Sequence, residues 1–317
     1  MGGQTKIEGL GSLRAAFEAT GSPRWVMYAI KKHGLDAKHN FRLEVDFTGD
    51  TVKGGLQSTE AALAEGVVDF IDTDWLSIAR CRRRGMKVVG VCPYGRIMGG
   101  LVVPQGSSIQ TLADLRGQCI GVVRRNDKNW AVIRAVCLRR YGFDPQDTGM
   151  VKESLSKTAL LRSLEDGGVD AAVLYWHLIP RLTVNNRYRQ VCDVLDLLPE
   201  LDIGRSPTTF FTFREEVVER SPDLVRAFVA AFREAVALMR GSDDIWEEIF
   251  ETLLHERDGA LLRLLRKKWE RRITTVWDES MIYDLHRLLG EMRRLGDLVP
   301  LAFDRFPEGT FTTAFMD

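Results

Sequence analysis

Short apolar runs alternate with amphipathic stretches through the first two thirds of the chain, and only amphipathic stretches follow. Residues 41–47 set Phe, Leu, Val and Phe against Arg, Glu and Asp, the period of a half-buried strand. Residues 88–91, 119–123 and 207–213 are apolar or rich in β-formers and read as further strands. Residues 5–10 predict a first strand, followed by a Gly/Ser-containing loop through Ala15, Ala16 and Phe17. Ser22 then suits a helix N-cap and Pro23 its first position, with the helix stopping at His33-Gly34. Residues 108–117 predict a short helix closing on Gly117, and 130–140 a longer one ending at Tyr141-Gly142. From Glu215 nearly to Met292 the pattern is helical, broken at Ser221-Pro222, Gly241-Ser242 and Thr274-Thr275, and is expected to pack over the first domain.

One pattern occurs twice. Leu63, Gly66, Asp69, Trp75 and Arg80 recur as Leu164, Gly167, Asp170, Trp176 and Arg181, each pair 101 residues apart. The unit reads as a helix ending on a left-handed Gly, then a buried parallel strand over 67–71 in one copy and 169–174 in the other. Ligands bind beyond the carboxyl ends of such strands. Asp72, Thr73, Asp74 and Trp75 fall there in the first copy, and Tyr175, Trp176 and His177 in the second, giving two similar loops that could face each other.

A length of 317 residues makes two domains the default. Forty-four basic and 44 acidic side chains cancel, which argues against nucleic-acid binding driven by net charge. There is no run of 18 apolar residues, the length that would suggest a membrane-spanning helix. The first residues contain no apolar export segment, so either the protein is cytoplasmic or a leader has been removed and Met1 added. Cys81, Cys92, Cys119, Cys137 and Cys192 are odd in number, show no CxxC pairing and read as buried thiols, leaning toward a reducing compartment.

The repeated Leu-x-x-Gly-x-x-Asp unit, then Leu101-Val102-Val103 running into Ser107-Ser108-Ile109-Gln110-Thr111-Leu112-Ala113-Asp114-Leu115-Arg116-Gly117 and the strand from Cys119, resembles the substrate-binding proteins of ABC importers. The resemblance spans about 43–240 and is strongest to the SsuA/NMT1-like branch that handles nitrate, sulfonates, taurine and thiamine precursors. It implies an α/β, two-lobed periplasmic-binding-protein-like clamshell of type II with two crossover strands, near 97–103 and 208–213, and a C-terminal helical segment. Lobe 1 would comprise 1–97 and 208–317, and lobe 2 98–207. It further implies a small-molecule ligand, permease and ATPase partners, a monomer, no cofactor or metal, and a periplasmic or lipid-anchored extracytoplasmic location if a leader was removed.

Candidate ligand-binding residues follow from the strand ends. In the first half they are Ser22, Arg24, Trp25, Thr48, Gly49, Asp50, Thr51, Asp72, Asp74 and Trp75. In the second they are Arg125, Asn126, Asp127, Lys128, Asn129, Trp130, Tyr175, Trp176 and His177, with Arg205 and Ser206 near the return crossover. The turns at 48–51 and 124–129 could offer backbone N–H groups to an anion. Trp25, Trp75, Trp130 and Trp176 could sandwich a planar ring or cover an alkyl chain, the alternative being inward packing. Arg24, Arg125 and Lys128 suit an anionic group, whereas Asp72 and Asp74 suit an amine; a planar nitrogen heterocycle with a polar or anionic arm fits the mixture. The basic runs 80–84 and 266–272 read as solvated helix faces.

The competing class is an enzyme on the same fold, of desulfinase, dehydratase or pyrimidine-synthase kind. For it Cys92 and His177 are the candidates, although no cysteine lies in the first strand-end loop and the CCCFC signature of the pyrimidine synthases is absent.

Overall fold

The computed structural model describes residues 9–49, 52–53, 56–97, 99–204, 206–295 and 303–316. Among the described residues seven strands precede the second half: β1 (Ser12–Glu18), β2 (Arg42–Thr48), β3 (Val52–Lys53), β4 (Leu56–Gln57), β5 (Phe70–Asp74), β6 (Val88–Arg96) and β7 (Gly99–Pro104). The remaining five are β8 (Cys119–Val122), β9 (Met150–Glu153), β10 (Ala171–Tyr175), β11 (Tyr188–Asp193) and β12 (Pro207–Arg214).

They form two five-stranded sheets of one topology, ordered β2-β1-β5-β12-β6 and β9-β8-β10-β7-β11, and β3 pairs only with β4 in a small hairpin. In each large sheet the first three strands are parallel and the fourth is antiparallel to both its neighbours. The fourth strand belongs, by chain order, to the other half: β12 returns to the first sheet, and β7 leaves β6 to enter the second. Two lobes joined by two passages of chain, one between β6 and β7 and one between β11 and β12, follow from this exchange.

The first strand differs from the sequence reading. It begins at Ser12 and contains the Ala15-Ala16-Phe17 segment expected to be a loop, while the described part of the predicted strand, Gly9-Leu10, is not extended into either sheet. Inner strands are covered on both faces, so Leu13, Ala15, Ala16 and Phe17 are all buried and the alternation that marks a half-exposed strand is missing. Elsewhere the first lobe is sealed by rings. Phe17, Phe70, Phe211, Phe213 and Phe228 meet at 4.5 to 6.1 Å, bringing β1, β5, β12 and helix Pro222–Gly241 into one aromatic cluster.

Residues 112–115 form only a single 3-10 turn, and Gly117 lies beyond it at φ +79°. The C-terminal helices include one break more than expected, at 255–258, where His255 takes a left-handed conformation. They do not all lie over the first lobe. Helix Pro222–Gly241 packs on helix Pro23–Lys32, but helix Gly259–Arg272 reaches helix Ile179–Thr183, and helix Glu279–Arg294 reaches helix Lys128–Tyr141. Of the five thiols, Cys81, Cys92 and Cys137 are buried, but Cys119 and Cys192 are partly accessible.

Candidate functional site

The carboxyl ends of β1 and β5 and the start of β12 share one edge of the first sheet, because β12 runs opposite to the other two. Thr209 accordingly stands across from Asp74 in register. Glu18, Gly21, Gln57, Thr59, Asp72, Thr73, Asp74 and Thr209 line a polar cavity of about 170 Å³ at this edge. The second lobe closes on it from Lys128, whose ammonium lies 2.5 Å from Asp74.

The two carboxylates of β5 are in different electrical states. Burial would raise Asp74, but Lys128 and hydrogen bonds from Ser77 outweigh it and hold the group below the ordinary carboxylate range. Asp72 is pushed up to about 7, by burial first and the neighbouring charge of Glu18 second, with Arg272 opposing and Asp74 adding to the rise. A group with that value is divided between its acid and carboxylate forms at neutral pH.

Arg272 was missed by the sequence reading. It ends helix Gly259–Arg272, inside the basic run expected to be a solvated face, and burial lowers its pKa. Its Nη1 donates to Arg96 O at 3.2 Å and its Nη2 to Thr209 Oγ1 at 3.1 Å, while Nε is buried without an acceptor. The guanidinium stands 5.3 Å from the Tyr94 ring and 5.9 Å from the Trp176 ring. Gly95 makes that position available, since a Cβ there would lie 2.7 Å from Arg272 Nε. The next residue, Ile273, bridges back to Gly95, which fixes the helix end to β6.

Most of that run is engaged too, Lys267 being exposed. Lys268 donates to Gln190 and pairs with Asp193, and Arg271 pairs with Asp193 and Asp196, all in the second lobe. In the other basic run, Arg80 pairs with the buried Glu60 and Arg82 with Glu215, so only Arg83 and Arg84 lie on an exposed face.

The four tryptophans do not form an open sandwich. Trp75 is wholly buried as the first residue of helix Trp75–Arg83, against Phe306, and Trp130 is wholly buried in helix Lys128–Tyr141. Trp25 and Trp176 do meet across the lobes, but edge to face at 5.6 Å and 3% exposed each, so their own rings fill the space a planar ligand would need. The helix N-termini are likewise taken. Asp74 accepts from Leu76 N and Ser77 N, and Asp127 from Asn129 N and Trp130 N. No anion can use those amides while the carboxylates hold them.

Other predicted residues are placed as follows. Ser22 caps no amide; its hydroxyl accepts from Tyr94, whose phenol burial pushes up to about 12. Arg24 donates to Leu253 O, and Arg125 to Val151 O, so neither guanidinium is turned to the cavity lining. Thr48 has a buried hydroxyl without a partner, and Gly49 and Asn126 are exposed. Asn129 is buried against Gly99 at the first passage between lobes, and Ser206 donates to Asp284 at the second. Tyr175 is raised by burial and by Asp127. His177, edge to face with Trp176, is driven down to about 3 by burial, then by Lys157, Arg272 and Arg181, and stays neutral. Asp50, Thr51 and Arg205 lie outside the described residues.

Cys92 is not a cleft nucleophile. It is wholly buried on β6, opposite Phe211, and burial raises its thiol far above the range in which a reactive thiolate forms. Among the described residues no group of three or more His, Cys, Asp or Glu is placed to hold a metal ion.

This is the fold of the two-lobed binding proteins, α/β with two mixed sheets, and the polar cavity lies at an edge of the first. The chain belongs to the NMT1/THI5-like family, whose match covers residues 43–243. Among solved structures it is similar to the periplasmic aliphatic sulphonate binding protein SsuA from Escherichia coli, at TM-score 0.72 and 17% identity over 95% of this chain and 93% of that one. It is also similar to the alkanesulfonate-binding protein SsuA from Xanthomonas axonopodis pv. citri bound to MOPS, at TM-score 0.71 and 15% identity over 95% and 98%. The desulfurization enzyme DszB has the same fold, at TM-score 0.62 and 15% identity over 96% and 97%. No curated protein matches the chain.

Proposed function

We propose that this protein is the solute-binding component of an ABC importer, capturing a small organic solute between its two lobes. The observation that carries the reading is the polar cavity at the carboxyl ends of β1 and β5, closed from the second lobe by Lys128 on Asp74 and flanked by the Arg272 guanidinium. Such a cleft works by differential affinity. A solute that touches both lobes binds the closed form more tightly than the open one and shifts the equilibrium by that difference. The permease and ATPase would read closure, and the site of action would be extracytoplasmic. The fold shared with sulfonate-binding proteins supports this reading. The DszB fold gives no comparable support to catalysis, since Cys92 is inaccessible.

The test is ligand-observed NMR with sulfonates, nitrate, taurine, pyrimidines and aromatic carboxylates, followed over hours. The expected result is a bound compound whose spectrum stays unchanged. A compound that is bound and then consumed would show that the cleft performs chemistry.

A further inference from the structure

We infer that the protein carries a second ligand site, distinct from the cleft, in the groove between helix Lys128–Tyr141 and helix Glu279–Arg294, and that this site takes an amphipathic carboxylate whose binding favours closure of the lobes. The site itself does not depend on what the cleft captures; only its effect rests on the two-lobed reading.

The groove encloses about 520 Å³, within the range of small-molecule sites, roughly 300–1,000 Å³. Its walls are helix faces. Ala135, Leu138 and Arg139 come from one turn of the first helix, and Arg287, Gly290, Glu291 and Arg294 form one stripe of the second. Gly290 holds the space open, since a Cβ there would meet nothing within 4 Å. The floor is apolar, Leu201 and Leu295 joining Leu138. Leu138 is 46% exposed, although the apolar residues before it in its helix are buried. An apolar body in the groove would take that surface out of water.

The charge of the lining sets the ligand's polar end. Three guanidiniums, of Arg139, Arg287 and Arg294, stand against two carboxylates. Arg139 holds Asp202 at 2.5 Å, and Arg294 holds Glu291 at 2.8 Å. Arg287 is left with the already engaged Asp202, at 3.8 Å, and among the described residues it has no nearer carboxylate. A carboxylate from the ligand supplies the bidentate partner that Arg287 lacks. One helical turn separates Arg287 from Gly290, so the apolar part then runs along the open stretch beside Gly290.

The first of these helices joins the groove to the cleft. Lys128 at its start pairs with Asp74 across the lobes, and Leu138, about 15 Å further along the axis, lines the groove. The facing helix is tied elsewhere. Glu279 accepts from Thr313, in the segment whose Phe311 bridges to Gly90 of β6, and Asp284 accepts from Gly204 N and Ser206 Oγ in the passage before β12. A ligand that grips both helices therefore holds the second lobe, and Lys128 with it, in the position that closes on Asp74.

The test is calorimetry on the full chain with octanoate, octan-1-ol and octylammonium. Octanoate is expected to bind at least ~10-fold more tightly than octanol, as a charge-assisted hydrogen bond implies, and octylammonium more weakly than either. Arg287→Gln should bring octanoate down to the level of octanol. Gly290→Leu fills the groove and should abolish binding of both; leucine favours a helix over glycine, so the loss is not one of folding, which circular dichroism checks. In solution scattering, octanoate should lower the radius of gyration of the unaltered chain and leave that of Gly290→Leu unchanged. Octanoate binding undiminished by Gly290→Leu would overturn the site, equal binding of octanol the ligand class, and an unchanged radius the effect on closure. No binding of octanoate at millimolar concentration would overturn the whole inference. None of these outcomes touches the importer reading, which the NMR panel tests.

Discussion

The two lobes share a skeleton and differ where the skeleton ends. β5 and β10 are Phe70–Asp74 and Ala171–Tyr175, in register with the 101-residue repeat from first residue to last. Asp69 accepts from Arg14 N at 2.9 Å, and Asp170 accepts from Cys119 N at 2.7 Å, each pinning the central strand to its parallel neighbour. The repeated Leu, Gly and Asp are thus scaffold. Chemistry begins at the last strand residue, Asp74 in one lobe and Tyr175 in the other. An aspartate can cap a helix, so Trp75 starts one and is drawn into the core. A tyrosine cannot, so Trp176 stays in a turn and meets Trp25 across the cleft. Identical residues at identical offsets are both buried, one within its lobe and the other against Trp25 of the facing lobe.

The sharpest way to break this comparison is to truncate both indoles. Trp75→Ala removes a wholly buried side chain from within one lobe and is expected to cost about 3–5 kcal/mol of stability. Trp176→Ala removes a contact made mainly between lobes, with Trp25 and Arg272, and is expected to cost less than half as much. It should instead loosen closure, visible as a larger radius in solution scattering. Equal losses of stability and unchanged scattering would mean that the Trp25–Trp176 contact does not hold the lobes together.

The strand ends should also respond to pH in opposite senses. Asp72 has its folded pKa raised to about 7, so its stabilising contribution is full below the unfolded value and is lost as pH rises toward 7. His177 has its folded pKa lowered to about 3, so it favours the folded state above the unfolded value near 6.5 and loses this as pH falls. Between about pH 4 and 6.5 the two slopes oppose each other, each integrating to a few kcal/mol at most. Asp72→Asn should leave stability rising with pH across this window, and His177→Gln should leave it falling. Denaturant midpoints measured at several pH values check both signs; parallel curves for the two variants would sink the assignment.

How much of this could be read in the sequence depends on whether local chemistry decides it. The repeat and the strand following each left-handed Gly are written in local patterns, because Gly66 and Gly167 must end helices and the apolar runs must be buried. β1 was hidden because Ala15 and Ala16 carry little strand signal and both faces are covered. Arg272 was hidden for a different reason. Its neighbours Lys268, Glu270 and Arg271 give the run the look of a wet helix face, and only the pairing of Ile273 with Gly95, 178 residues away in the chain, turns its last arginine inward. That residue also lies beyond the matched family region, which ends at 243. The aromatic sandwich failed because first-turn tryptophans in amphipathic helices satisfy the same sequence pattern as cleft-lining ones.

The finest test of the shared skeleton uses its two glycines. Gly66 and Gly167 stand at φ +72° and +69°, where an L side chain is strained by about 1–2 kcal/mol. Alanine at either position should therefore lower stability by a similar amount, which thermal or urea unfolding would show. A small difference is expected on top of that. A Cβ at 66 would approach Arg214 Nη1 at 3.2 Å, whereas at 167 nothing lies within 4 Å. Arg214 can give way, since its guanidinium ends a flexible side chain that already bonds Gly66 O and Glu216, so the excess at 66 should stay within about 0.5 kcal/mol, the scale of a minor rotamer adjustment. A loss at one glycine only would show that the two helix ends, despite their matching dihedrals, are not equivalent parts of one repeated device.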